Sequence, residues 1–172
     1  MKGRVRGALI CAVFGSAWMF WAAVFAPAVR SGSLALVTAV TIAIVGWAVS
    51  RVRAARHYQD STADRERWAS IALLYWINTA AEWLLAAGSG IALAQFRRYS
   101  LIPQFLGVII GLHFLVLARL LRGSAYSIMG ATMILAVLAT LLIPDGNIRS
   151  AIACAGIGLP MWITAATMLS QN

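Results

Sequence analysis

Residues 69–94 read ASIALLYWINTAAEWLLAAGSGIALA. A helix needs about 20 mostly apolar residues to cross the hydrocarbon core of a bilayer, and this run exceeds that. Its few polar groups are not scattered. At 100° per residue, Tyr75, Asn78, Thr79, Glu82, Ala86 and Ser89 fall in one sector about 100° wide, while Trp76 and Trp83 fall together outside it. An unpaired polar group facing lipid costs several kcal/mol, on the order of a lost hydrogen bond or more. The polar sector must therefore face other helices or a water-filled cavity, and the tryptophan side must face outward. This stretch is one wall of a membrane bundle.

The rest of the chain agrees. It is 62% hydrophobic and only 11% charged over 172 residues, with a mean hydropathy of +0.83, and soluble domains carry about twice that share of charge. Six apolar blocks lie at 8–26, 33–49, 69–94, 101–121, 125–143 and 148–169. The expected architecture is all-α: a polytopic bundle of six transmembrane helices forming a single domain over 1–172. The second block is short, but Arg51 and Arg53 can snorkel and extend it. The third is longest and is expected to tilt or run past the interface. Short links at 27–32, 96–100, 122–124 and the polar turn 144–147 make the helices they join antiparallel neighbours. Only 51–68 is long, and its mixed charges predict a short interfacial helix or a solvated turn. A Gly recurs at mid-block in the even-numbered helices (Gly46, Gly111, Gly158), each followed closely by an aromatic (Trp47, Phe114, Trp162), which reads either as three similar hairpins or as chance.

Charge sets the orientation. With the N-terminus cytoplasmic, the cytoplasmic segments hold ten basic residues and the far side holds four: Arg30, Arg97, Arg98 and Arg149. The positive-inside rule then gives N-in and C-in. The net charge of +9 sits at block ends, where it meets headgroups, so nucleic acid is not an expected partner. All basic residues but Lys2 are Arg, a bias that suggests a GC-rich bacterial genome and hence the bacterial inner membrane. The first block has a basic start and small residues near Ala26, as a signal peptide would. The length of its apolar run and Pro27 beyond it favour a retained span.

Glu82 is the one acidic residue well inside a block, and His113 the one intramembrane histidine. Counting roughly 1.5 Å per residue from the cytoplasmic ends, Asn78 and Glu82 lie roughly 14 and 20 Å deep and His113 roughly 10 to 14 Å. An Asn78/Glu82/His113 cluster, with Tyr75, Thr79 and Ser89 on the same face, could relay protons or bind a polar ligand. The competing reading is structural: a hydrogen-bonded carboxyl and a buried imidazole bonded to a backbone carbonyl. Gly107 and Gly111 form a GxxxG that admits a close helix beside His113. Gly158 and Pro160 mark a kink, since Pro removes a backbone hydrogen bond. Cys11 and Cys154 read as packed thiols. His57 with Asp60 or Asp64 is too sparse for a metal site, and no metal or cofactor is expected. There is no GxSxG, Walker loop, HExxH or CxxC, so an enzyme would have only Glu82 and His113 to work with.

Gly111-Leu112-His113-Phe114-Leu115 with Ala118-Arg119-Leu120 resembles a motif of small six-helix bacterial membrane proteins of uncharacterised function. The likeness covers mainly the third to fifth helices. Where those proteins often carry Pro after His-Phe-Leu, this chain has Val116. The resemblance implies six helices and no activity. The functional expectations are a small transporter or ligand-binding protein, a non-transporting accessory subunit, or a membrane-embedded enzyme. The expected partners are the lipid bilayer, a small-molecule ligand and a second copy of the chain.

Overall fold

The computed structural model describes residues 2–26, 30–55 and 61–171. These form six helices: α1 Lys2–Val24, α2 Arg30–Ala54, α3 Thr62–Gln95, α4 Ile102–Leu121, α5 Ser124–Ala139 and α6 Gly146–Ser170. Short 3-10 turns lie at Tyr99–Leu101 and Thr140–Leu142, the second prolonging α5. All six helices are long and apolar enough to cross a membrane.

Several boundaries differ from those expected, for local reasons. α2 and α3 extend well into the stretch expected to be a loop, because Arg51 and Arg53 on one side and Ala63, Arg65, Glu66 and Arg67 on the other are good helix formers once a helix is nucleated. With 34 residues, α3 spans about 50 Å, well beyond a hydrocarbon core of about 30 Å. α6 begins at Gly146, so the expected turn through Asn147 is shorter. Asp145 ends it as the N-cap, its Oδ1 accepting from the Asn147 and Ile148 amides at 2.8 Å each. α6 then continues as one helix through Pro160, so Pro160 does not break it. The Pro27 end of the first link and the segment with Arg56, His57, Tyr58 and Asp60 lie outside the described residues.

α3 and α4 each end on an arginine in the left-handed region, Arg97 at φ 55° and Arg122 at φ 52°. The next amide closes back five residues: Arg98 N donates to Leu93 O at 2.8 Å, and Gly123 N to Ala118 O at 3.1 Å. This is the Schellman closure, made here without glycine at the strained position.

α6 is the hub and packs against α1, α2, α4 and α5. Small residues let it do so. Gly158 meets Gly15 of α1 backbone to backbone, and Gly156 meets Ala136 of α5. The main core joins Cys11 and Ala12, Phe114 and Leu117, Met129 and Met133, and Ala153 to Ala165 of α6. The helices joined by short links are neighbours, as expected. Among the described residues α3 stands at the edge: its one extensive helix contact is with α4, and no residue of its most apolar stretch is fully buried. The three mid-helix glycines are not equivalent. Gly111 and Gly158 are tightly packed, whereas a side chain at Gly46 would meet nothing, so they do not mark three matching hairpins.

Contacts also define the two ends of the bundle. At one end Val5, Ala48 and Met168 share a cluster, and the Arg67 guanidinium donates to Leu121 O at 3.2 Å. At the other, α1 ends beside the starts of α4 and α6.

Candidate polar site between α3 and α4

α3 turns one stripe toward α4. Tyr75, Asn78, Thr79, Glu82, Ala86 and Ser89 are all partly buried, while Trp76 and Trp83 are 62% and 61% exposed. The helical period predicted this division, and the packing of α3 on α4 produces it.

Three of the six candidate polar residues meet. Asn78 Nδ2 lies 2.9 Å from His113 Nδ1 and 3.4 Å from His113 O. Glu82 Oε2 lies 3.2 Å from the same Nδ1. Asn78 and Glu82 are one turn apart on α3, so they flank the imidazole from two levels, in keeping with the depths read from the sequence. The His113 side chain is 9% exposed and that of Glu82 21%. The ring packs edge-on to Phe114, whose own ring stacks on Tyr126 of α5.

The other three share the face without joining the cluster. Thr79 donates to Tyr75 O at 3.0 Å and Ser89 to Ala86 O at 3.0 Å, so both hydroxyls are satisfied within α3. Tyr75 packs against the core and touches the Trp68 and Trp76 rings. It fills space between α3 and the main core.

The glycines of α4 set the position of His113. A side chain at Gly107 would meet Val137 and Ile157, and one at Gly111 would meet Ile134 and Gly130 O. α4 therefore presses on α5 and α6 through its glycine side and presents His113 to α3 on the other. Gly158 serves the α1–α6 contact, far from this cluster in the packing order. Among the described residues no three His, Cys, Asp or Glu side chains converge as a metal site would require.

Sequence reasoning passed over a second polar group. Gln104 of α4 is 3% exposed. With its amide nitrogen toward Ser100 O (2.9 Å) and Leu101 O (3.2 Å) and its oxygen 3.1 Å from Thr140 Oγ1, both ends are satisfied. Ser150 donates to Gly146 O at 2.8 Å, and Arg149 Nη2 donates to Ser100 Oγ at 2.7 Å. Gln104 carried a readable signal, an amide inside an apolar block, which the search for ionisable groups ignored. Trp162 Nε1 donates to buried Ser16 Oγ at 3.1 Å, tying α6 to α1.

Chemically, the cluster concentrates two partners on one atom. Nδ1 has either one lone pair or one proton. With the lone pair it accepts from Asn78 Nδ2 or from a protonated Glu82. With the proton it donates to the Glu82 carboxylate. Asn78 does not lose everything in that second state, because the His113 carbonyl remains within its reach. No family model matches this chain, and neither a curated protein nor a solved structure does.

Proposed function

We propose that the chain is a small transporter or ligand-binding protein of the bacterial inner membrane, N-in and C-in, whose Asn78/Glu82/His113 cluster takes up and releases a proton at mid-span. The observation that carries the reading is the convergence of Asn78 and Glu82 on His113 Nδ1. A proton on Glu82 Oε2 gives a neutral pair, O–H donating to Nδ1. The same proton on Nδ1 gives a carboxylate and an imidazolium, still neutral as a pair. Both states hold the same proton and neither leaves an uncompensated charge in hydrocarbon, where one is expensive; release of that proton leaves the Glu82 carboxylate beside a neutral imidazole, and uptake restores the neutral pair. Loss of the proton frees the Nδ1 lone pair for Asn78 Nδ2, and its return hands Nδ1 back to Glu82, so the state of the pair is coupled to the α3–α4 contact.

Further support comes from the charges. Arg4, Arg6, Arg51, Arg53, Arg65, Arg67, Arg119 and Arg122 belong to one end of the bundle and Arg30, Arg97, Arg98 and Arg149 to the other, which favours N-in. The likeness of the Gly111–Leu115 segment to small bacterial membrane proteins is part of the same reading.

The test is proton flux into proteoliposomes carrying an internal pH dye. Wild type is expected to conduct protons above empty vesicles, and Glu82→Gln and His113→Gln to abolish the flux while keeping the helical spectrum. Equal flux in all three would sink the proposal. A second reading, a non-transporting accessory subunit, is favoured by the position of α3, which has one packed neighbour and turns Trp76 and Trp83 outward. Flux-free wild type, together with crosslinking to a neighbouring protein in Trp76→Cys and Trp83→Cys variants, would support it.

A further inference from the structure

At the end of the bundle away from the N-terminus, α1, α4 and α6 leave a half-open cleft of about 360 Å³. Its walls are mainly apolar and aromatic, with Trp21, Phe25 and Tyr99 on them. Its polar groups are Ser100, Asn147 and Ser150. Aromatic side chains at helix ends mark the level of lipid headgroups, so the cleft spans the boundary between headgroup and acyl chain.

The charge beside it lacks a counterpart. Arg149 stands in the first turn of α6, where the helix dipole disfavours a cation. Its side chain folds back along the helix. Nη2 bonds Ser100 Oγ and lies 3.9 Å from where a side-chain carbon on Gly146 would be, and both Ser100 and Gly146 line the cleft. Its Nε is buried without a hydrogen-bond acceptor. Among the described residues Arg149 forms no ion pair. The one nearby acid, Asp145, is spent on capping α6. Arg30, Arg97 and Arg98 add positive charge at the same end. An apolar slot at headgroup level, with an arginine short of an anion at its lip, matches one chemistry.

We infer that this cleft binds one anionic phospholipid, an acyl chain lying against Trp21, Phe25 and Tyr99 and the phosphate meeting Arg149 with Ser100 and Asn147. An arginine–phosphate contact is charge-assisted and planar; a zwitterionic lipid with an identical chain has the same phosphate, but its own ammonium group offsets that charge and repels Arg149, so it is bound more weakly. The site is independent of the proton-binding cluster.

The experiment is native mass spectrometry of delipidated protein in neutral detergent, titrated with phosphatidylglycerol or with phosphatidylcholine of the same chains. Wild type is expected to take up one phosphatidylglycerol about 10-fold more tightly than phosphatidylcholine, which corresponds to about 1.4 kcal/mol for one net negative charge left uncompensated by the lipid's own headgroup. Arg149→Gln should remove that preference and Arg149→Lys keep part of it. Asn147→Trp, which fills the cleft from an exposed position, should weaken both lipids. If Arg149→Gln does not fold, undiminished phosphatidylglycerol binding by Asn147→Trp overturns the inference. So does equal binding of the two lipids by wild type, or a preference that survives Arg149→Gln and vanishes only in Arg97→Gln/Arg98→Gln.

Discussion

Replacing Gly130 by Ala tests how α4 is held. A side-chain carbon there would stand 2.5 Å from Gly111 O and 3.2 Å from the Leu115 backbone nitrogen. The obstacle is the backbone of a neighbouring helix, which no rotamer change can clear. Restoring ordinary contact near 3.4 Å needs α4 and α5 to part by roughly 1 Å, and a gap of that size forfeits about a quarter to a half of each dispersion contact along the seam. Overpacking of this kind costs about 1–3 kcal/mol. For a chain of this length about 2 kcal/mol corresponds to a fall of about 4–8 °C in Tm. The assay is thermal unfolding of purified protein in a single detergent, with Gly46→Ala as the control. At Gly46 a side chain would meet nothing, so that variant should match wild type. A Gly130→Ala protein that melts with wild type would refute the argument that glycine backbone contact sets the α4–α5 spacing.

Other outcomes follow from single contacts. Asp145→Ala removes the cap of α6 and should cost about 1 kcal/mol, read as a lower midpoint in chemical unfolding. Arg122→Gly relieves a left-handed residue and should raise stability by up to about 1 kcal/mol despite the entropy of glycine. A lower Tm for that variant would show that the arginine contributes more through its charge than its backbone costs. Trp162→Phe removes the bond to Ser16 and should cost about 1 kcal/mol, with faster hydrogen exchange in the facing segments of α1 and α6.

Six long apolar helices were readable because each apolar block is long and most have Arg, Pro or Gly close to their ends. The outward side of Trp76 and Trp83 and the inward side of Asn78 and Glu82 were readable because a helix fixes the angle between its residues. The helix ends were less so. Residues 64–67 are charged, and apolar patterning does not register a helix that continues through them. The hub was not readable from hydropathy. α4 is the most apolar span, with a hydropathy of 2.2 against 1.7 for α6, yet α6 is much the more buried. In lipid, greasiness does not drive a helix inward; small residues that allow close approach do, and α6 has Gly156, Gly158 and a run of alanines. The partners Gly15 and Gly130 were missed for the same reason, since a lone glycine has no periodic signature. At the site, depth counting placed His113 beside Asn78 and Glu82. It could not foresee that Thr79 and Ser89 would spend their hydroxyls on their own helix, because that choice is a rotamer and not a position.

The central claim is that one proton on His113 Nδ1 exchanges Asn78 for Glu82. The most direct measurement is ¹⁵N NMR of the ring nitrogens in reconstituted protein, with His57→Gln leaving His113 as the one histidine. Recorded across pH 5 to 9 in wild type, Glu82→Gln and Asn78→Ala, the account predicts that Nδ1 passes between unprotonated and protonated forms in wild type. Glu82→Gln should favour the unprotonated form and Asn78→Ala the protonated one. A ring that keeps one tautomer throughout, unmoved by either substitution, would contradict the account and leave the three residues as a structural bridge between α3 and α4.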